Sequence, residues 1–230
     1  MIRKSKYTRK ASADGWLRIK LTGGAFAFLC EYTRVEVTKE AEGRVFFKVA
    51  EGYIAVGQEG SLSKEHAAQY LSDNGPQGPA KVIVRYKGEP SDEHSPYKGR
   101  LRQQWGELTA PGVIAQVTLN SKSADIPGGY TPIPPGDHTI LAPDSSHRVH
   151  GDTRGYAMAT PGMVGNDIWF PIGLNGSTVN SSRYIHVGHL SEGCVTTHEL
   201  KKWTVLYNYL ISHRVPNSMG KYVGQLKVQK

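Results

Sequence analysis

Apolar and polar residues alternate in short runs along most of this chain, and turn-forming residues separate the runs. In the first part of the chain the runs are Trp16–Leu21, Ala25–Val37, Arg44–Ala50 and Tyr53–Val56. Farther along they are Lys81–Tyr86, Val113–Leu119, His138–Leu141, Ile168–Leu174 and Tyr184–Val187. A period of two residues places alternate side chains on opposite faces of a strand. The pattern therefore predicts a mainly β protein with many antiparallel strands.

One long helix is predicted near the C-terminus. Residues 196–199, Thr-Thr-His-Glu, fit a capping box, in which the Thr196 hydroxyl and the Glu199 carboxylate satisfy backbone N–H groups at the helix start. The apolar residues that follow at helical spacing are Leu200, Trp203, Tyr207, Leu210 and Ile211. This stripe predicts a helix that packs on the sheet and ends near Arg214, before Pro216.

A shorter helix, Lys64–Leu71, is predicted between the two groups of runs, with Ser63 as its N-cap and Asn74-Gly75 as its stop. The glycine- and proline-rich residues 75–79 follow it and are typical of a linker. We therefore predict a small β-rich N-terminal domain at 1–75 and a second domain at 80–230.

Positive charge outweighs negative charge, with 28 Lys and Arg against 20 Asp and Glu, and it is concentrated at the start of the chain. The cations of the first ten residues are Arg3, Lys4, Lys6, Arg9 and Lys10. Such a basic arm either binds a polyanion, such as nucleic acid, anionic lipid or an acidic wall polymer, or remains a solvated terminus.

No apolar run approaches the length of a membrane-spanning helix, so no membrane span is predicted. No signal for the general secretory route is predicted either, because Arg18 and Lys20 interrupt the start of the chain and Ala25–Cys30 is too short. We expect a protein that is cytoplasmic or that is exported by another route. The alternation around Cys30 predicts a core thiol, and nothing indicates a disulfide with Cys194.

Histidines and a cysteine cluster in the second part of the chain. Seven of the nine histidines lie between His138 and His213, and Cys194 lies among them. Cys194 is two residues before the predicted helix cap, where unpaired N–H groups and the helix dipole favour a thiolate. Gly193 permits close substrate approach, so the neighbouring backbone N–H groups are candidates for an oxyanion hole. A histidine near such a thiol is a candidate general base.

Three segments around these residues suggest a family. Residues 185–188 read Ile-His-Val-Gly at a predicted strand end, and residues 191–195 read Ser-Glu-Gly-Cys-Val before the predicted helix. Residues 128–140 contain Thr-Pro-x-Pro-Pro-Gly-Asp-His-Thr-Ile. Together they resemble the active-site signature of YkuD-type L,D-transpeptidases and the "Thr-Pro-x-Gly-x-aromatic" strand that precedes it. Glu192 stands where the family has histidine, and Val195-Thr196 replaces its Arg or Asn.

The resemblance covers about residues 81–213, and none is found for the first 75. It implies a mainly β, L,D-transpeptidase-like fold, with a mostly antiparallel β-sandwich or barrel-like sheet and one packed helix. It also implies that Cys194 is the nucleophile, His186 its general base and Gly193 part of the oxyanion hole. The substrates would be peptidoglycan stem peptides, which are converted by L,D-transpeptidation or L,D-carboxypeptidation without a cofactor.

The remaining site residues are expected to bind substrate: His189, Ser191, His150 and Tyr130. His189 also competes with His186 for the role of base, and His147 and His150 have either a substrate-pocket or a structural role. The short spacing between His186 and Cys194 is closest to compact variants that include toxins delivered between bacteria. A protein of that kind would act on the cell wall in the periplasm. Its partners would include a secretion apparatus or an immunity protein, and not nucleic acid.

Two other functions are open. The spacings His147-x-x-His150, His186-x-x-His189 and Cys194-x-x-x-His198 also occur at zinc sites, so a zinc-dependent cell-wall hydrolase is the rival enzyme, although no His-Glu-x-x-His motif is present. The third hypothesis is a basic, non-catalytic module that binds a polymer. The mixed aromatic and basic residues that favour it are Trp16, Arg18, Lys20, Tyr32 and Arg34.

Overall fold

The computed structural model describes residues 4–123, 130–147 and 153–230. Strands dominate these residues, which confirms the prediction of a mainly β protein. The N-terminal sheet contains β1 Lys4–Thr8, β2 Trp16–Leu21, β3 Phe26–Cys30, β4 Arg34–Ala41, β5 Arg44–Val49, β6 Glu59–Ser63 and β7 Leu71–Ser72. The C-terminal sheet contains β8 Ala80–Tyr86, β9 Ser91–Ser95, β10 Gly99–Ala110, β11 Val113–Lys122, β12 Gly136–Leu141, β13 Phe170–Gly173, β14 Tyr184–Val187, β15 Val195–Thr197 and β16 Tyr222–Gln229. The helices in the described residues are α1 Lys64–Tyr70, α2 Arg154–Ala159 and α3 Leu200–Ile211, with a 3₁₀ turn at Leu174–Gly176.

The N-terminal sheet has the strand order β3-β2-β6-β5-β4-β1-β7, and its buried side chains form their own apolar cluster around Leu17, Leu29 and Phe47. Helix α1 begins where the sequence predicts it, because the Ser63 hydroxyl accepts a hydrogen bond from the His66 N–H at 3.2 Å. The run Ala25–Val37 forms two strands instead of one, since Tyr32 takes a left-handed conformation between them.

The C-terminal sheet closes on itself. Its strand order is β11-β15-β14-β13-β12-β16-β8-β10-β9, and β10 also pairs with β11. This last pairing joins the two ends of the row and makes a barrel, with β9 as an extra strand on β10. The resemblance implies a β-sandwich or a barrel-like sheet for this part of the chain, and the sheet forms a barrel. The parallel pair β14 and β15 lies in its wall and carries the residues of the candidate site.

Helix α3 buries the predicted apolar stripe, since Trp203, Tyr207 and Leu210 are fully buried in the core of the C-terminal sheet. The predicted capping box is wrong. Thr196 lies inside β15, where it pairs with His186 on one side and Thr118 on the other. Glu199 instead accepts a hydrogen bond from the Gln116 N–H at 2.6 Å. Strand pairing with two neighbours outweighs a local capping preference here.

Buried polar contacts join the two sheets. The Trp16 indole N–H donates to Asp167 at 2.9 Å, and the Tyr207 hydroxyl donates to the Glu31 carboxylate at 2.8 Å. Arg214 is buried and donates to the Glu31 carbonyl at 3.1 Å. These bonds fix the N-terminal sheet against the face of the barrel that carries α3. None of the described helices combines the length and the apolar character needed to cross a membrane.

Candidate functional site

His186 lies in β14, and the parallel register with β15 places it beside Thr196. Its Nδ1 lies 3.0 Å from the Val187 carbonyl oxygen, and its Nε2 lies 3.0 Å from Thr196 Oγ1. Because a carbonyl only accepts, Nδ1 carries the proton of the neutral ring, and Nε2 accepts from the Thr196 hydroxyl. The basic nitrogen of His186 is therefore Nε2.

The His186 ring is buried against an indole. It stacks on Trp169 with ring centroids 4.1 Å apart and an angle of 12° between the planes, and His147 also stacks on Trp169, at 4.4 Å and 7°. Burial lowers the pKa of His186 to about 4, and the nearby His147 adds to this effect. The His186 imidazole is consequently neutral at pH 7 and can accept a proton.

Cys194 is buried, and burial raises the pKa of its thiol to about 11. A hydrogen bond with the Tyr184 backbone and the charge of Arg183 act in the opposite direction, while the charge of Glu192 raises the pKa further. The predicted thiolate at a helix start is wrong, because Cys194 precedes strand β15 and α3 begins only at Leu200. The helix dipole falls off within the first turn and does not favour ionisation there.

Glycine is required at position 193. Its φ of +91° is a conformation that side chains disfavour, and a Cβ there would lie 2.4 Å from the Thr131 carbonyl oxygen and 2.6 Å from Arg183 Nε. The loop before it is tied down by Ser191, which is fully buried: its N–H donates to Ser121 Oγ at 2.9 Å, and its hydroxyl donates to the Cys194 carbonyl at 2.9 Å. The backbone around Cys194 is thus held in one conformation.

Cys194 and His186 line the same cavity, whose volume is about 190 Å³. Trp169, Tyr156, Lys98 and Glu192 are among the other residues of its wall, and Lys98 and Glu192 place charges at it. Across the described part of the chain, no hydrogen bond joins the Cys194 thiol to the His186 ring. The two groups share a cavity as neutral acid and neutral base.

The other predicted site residues lie in different surroundings. His189 is absent from the described lining of this cavity, and its Nδ1 lies 3.0 Å from Ser95 Oγ. Tyr130 is 44% exposed, and its carbonyl accepts a hydrogen bond from Asn120. His150 lies outside the described residues. Trp169, Tyr156 and Lys98 were not predicted, because they lie far from Cys194 along the chain. Arg183 and Thr196 lie closer to it, but Arg183 was not predicted and Thr196 was predicted as a helix cap.

Of the three zinc-site spacings, His147-x-x-His150 includes a residue outside the described ranges, and the other two do not bring their residues into one group of donor atoms. His186 stacks on Trp169, whereas His189, three residues later, stacks on His198 at 3.8 Å. Within the described ranges, one group has the donor atoms and closeness of a metal site, and it consists of Glu93, His189 and His198. Cys194 does not belong to it.

The aromatic and basic residues of the N-terminal sheet separate into different surroundings. Trp16 is buried and bonded to Asp167, and Arg34 is paired with Glu51 at 2.9 Å. Arg18 and Lys20 are exposed and line a groove of about 460 Å³ together with Arg44, His66, Phe26 and Tyr70. No carboxylate is among the described residues that line this groove.

None of the protein-family models, curated proteins and solved structures with which the chain was compared matches it. The resemblance to L,D-transpeptidases therefore rests on the motif residues of the sequence alone.

Proposed function

We propose that this protein is a cysteine-dependent acyltransferase of the L,D-transpeptidase type, which acts on the stem peptides of peptidoglycan. The observation that carries the proposal is the cavity shared by Cys194 and His186, with a glycine that geometry requires directly before the cysteine. A thiol, a base and a fixed backbone turn beside one pocket are the parts that acyl transfer needs.

The proposed reaction begins with attack of Cys194 Sγ on the carbonyl carbon of the L,D-linked amide. As the carbon–sulfur bond forms, the thiol proton passes to His186 Nε2, and backbone N–H groups around Gly193 stabilise the negative oxygen. The carbon–nitrogen bond then breaks, and His186 returns the proton to the departing amine of the terminal D-residue. The stem remains as a thioester on Cys194, and no cofactor takes part.

The second half of the reaction releases the thioester. An amine of another stem would attack the thioester carbonyl, give its proton to His186 and restore the Cys194 thiol, which completes transpeptidation. Water in the same role gives carboxypeptidation. Lys98 in the cavity wall is positioned to pair with a carboxylate of the stem peptide.

The thiol and the imidazole are both neutral in the resting protein. Because the pKa of Cys194 is about 11 and that of His186 about 4, an ion pair is strongly disfavoured before substrate enters. Proton transfer then occurs together with attack. The Thr196 hydroxyl has a second acceptor, the Leu190 carbonyl at 3.3 Å, to which it can turn its hydrogen when His186 Nε2 takes up a proton.

The direct test is incubation of the purified protein with peptidoglycan fragments that carry tetrapeptide stems. We expect mass spectrometry to find loss of the terminal D-residue or a new cross-link, and intact-protein mass spectrometry to find a thioester adduct on Cys194. Cys194→Ala should give neither product, whereas Cys30→Ala, which alters a thiol remote from the cavity, should give both. Undiminished turnover by Cys194→Ala would rule out the thiol mechanism.

The N-terminal sheet favours a second candidate role, the binding of an anionic polymer of the cell wall. The groove around Arg18, Lys20 and Arg44 carries positive charge, and the Arg18 guanidinium lies 3.6 Å from the ring centroid of the exposed Phe26. Such a surface fits a phosphate-rich polymer. It would bring an exported, wall-attacking enzyme to its substrate after delivery to a target periplasm.

Co-sedimentation with purified cell walls tests this role. We expect Lys20→Ala combined with Arg18→Ala to weaken binding, with a salt dependence smaller than that of the wild type. Lys48→Ala removes an exposed cation of the same sheet outside the groove and should have little effect. Equal binding by all variants would contradict the groove as the binding site.

A further inference from the structure

Three metal-ligand side chains meet beside the β9–β10 hairpin. Glu93 lies in β9, His189 follows β14 and His198 lies just before α3. One donor atom from each lies within 4.8 Å of the other two. His198 Nε2 is 2.7 Å from Glu93 Oε1, and His189 Nδ1 is 3.9 Å from the same oxygen. Residues far apart in sequence thus converge on one point.

The hydrogen bonds of Ser95 decide which nitrogen of His189 has a lone pair. Ser95 Oγ accepts the N–H groups of Tyr97 at 3.2 Å and of Lys98 at 3.3 Å. Its own hydrogen is therefore available to His189 Nδ1, which lies 3.0 Å away and acts as the acceptor. His189 Nδ1 consequently carries the unprotonated lone pair of the ring, and the Ser95 hydroxyl that donates to it must turn its hydrogen away when a metal binds.

The spacing of the donors fits a small divalent ion. Zinc binds histidine nitrogen and carboxylate oxygen at about 2.0–2.2 Å, so tetrahedral ligands lie about 3.3 Å apart. The two donor separations to Glu93 Oε1, 2.7 and 3.9 Å, lie on either side of that value. The imidazole rings, stacked at 3.8 Å, would tilt apart, and the proton between His198 and Glu93 would leave as the metal enters.

The other carboxylate oxygen of Glu93, Oε2, already accepts a hydrogen bond. Gln103 Nε2 donates to Glu93 Oε2 at 3.0 Å and to the His189 carbonyl at 2.8 Å. An outer contact of this kind orients a ligating carboxylate and leaves its second oxygen for the ion. Two histidines and one carboxylate form a donor set that suits zinc better than calcium or magnesium.

We propose that Glu93, His189 and His198 form a binding site for a divalent ion of the zinc type, separate from the cavity of Cys194. The ion joins the β9–β10 hairpin to the segment after β14 and to the start of α3. That hairpin carries Lys98, which lines the Cys194 cavity, and Tyr97, whose ring lies 4.9 Å from that of Tyr156 in the same wall. Metal binding would therefore stabilise one wall of the cavity without a part in the chemistry.

The test uses the tag-free full chain and metal alone, with no turnover measured, so its outcome is independent of the proposed acyl transfer. We expect Zn²⁺ to bind with one equivalent per chain in isothermal titration and to raise the temperature of unfolding. Glu93→Gln and His198→Ala should each weaken binding by at least about tenfold. His94→Ala removes the exposed histidine next to Glu93, and Cys194→Ala removes the thiol; both should bind as the wild type does.

The wild-type protein also gives a spectroscopic answer if a variant fails to fold. Co²⁺ at this site should produce the visible bands of a four- or five-coordinate ion and no near-ultraviolet band of a cobalt–thiolate bond. Absence of Zn²⁺ binding, a thiolate band, or equal loss of affinity in His94→Ala or Cys194→Ala would each overturn the assignment.

Discussion

The two cysteines of this protein are both buried and both line a cavity, but the cavities differ in size and in the groups beside the sulfur. Cys30 lies where the N-terminal sheet meets the barrel, with Thr33 Oγ1 at 3.6 Å and the buried Arg214 at 4.0 Å from its sulfur. Cys194 lies at a cavity with His186 in the wall. Burial raises the pKa of both thiols. A raised pKa therefore does not distinguish the two thiols, whereas the larger cavity at Cys194 and the histidine in its wall do.

Removal of the His186 side chain should have the largest effect on the difference in reactivity between Cys194 and Cys30. We expect His186→Ala to lower thioester formation at Cys194 by at least about 100-fold, because the base that takes the thiol proton is lost. His138→Ala is the matched control, since His138 is equally buried in the same sheet but bonds to Pro134 and Asn175 away from the cavity. Single-turnover mass spectrometry measures both. A similar loss in the two variants would mean that folding, and not the base, is responsible.

Gly193→Ala should come next. The added Cβ would meet the Thr131 carbonyl at 2.4 Å, so the turn that places the thiol must move, and a displacement near 1 Å costs about 100-fold in rate. Gly112→Ala separates this clash from backbone strain, because Gly112 also has a positive φ but nothing within 4 Å of its Cβ position. We expect Gly112→Ala to lower stability slightly and to leave turnover unchanged. Equal loss of turnover in both would contradict the clash argument.

The alkylation rates of the two thiols should differ by a smaller factor, and the difference should depend on pH. With a pKa of about 11, Cys194 should react slowly at pH 7 and about tenfold faster for each unit of pH up to pH 10, because the thiolate reacts. Cys30 should remain slower at every pH, since the cavity that it lines has a volume of only about 10 Å³ and is too small for the reagent. Peptide mapping after brief labelling gives both rates in one sample. A rate for Cys194 that is already constant at pH 7 would show an ionised thiol and contradict the structure.

The fold was predictable where local pattern and tertiary pairing agree. Trp16–Leu21 and Tyr184–Val187 are strands over the predicted residues. Trp16–Leu21 keeps Arg18 and Lys20 exposed on one face, whereas the residues from Ile185 to Val187 are all buried, as in a strand covered on both faces. Tyr53–Val56 is apolar but forms no strand: Gly52, Ala55 and Gly57 all have positive φ, and the segment has no strand partner among the described residues. Strand β10 was not predicted, because its many polar residues obscure the alternation of a strand. Its pairing with three neighbouring strands establishes it.

The part of the candidate site that lies in one short segment of the sequence was predictable. His186, Gly193 and Cys194 lie within nine residues, so a motif can find them. The ionisation of Cys194 was predicted wrongly, because residues that look like a helix cap are drawn into β15 between two other strands. Lys98 and Trp169 reach the cavity through long-range topology, and local sequence contains no signal for that.

The smallest expected effect concerns Glu192, the exposed carboxylate near Cys194, whose counterpart at Cys30 is the buried Glu31. Glu192 raises the pKa of Cys194, because a negative charge nearby disfavours the thiolate. Glu192→Gln should therefore lower that pKa and speed alkylation of Cys194 at pH 9 by about two- to fivefold, with Cys30 unchanged. Because Glu192 is exposed, salt screens it, and the difference should shrink between about 0.05 and 0.5 M salt. Glu65→Gln, an exposed glutamate on α1, is the control for a change in net charge alone. A faster rate in that control, or a slower rate in Glu192→Gln, would show that the local field at Cys194 has another source.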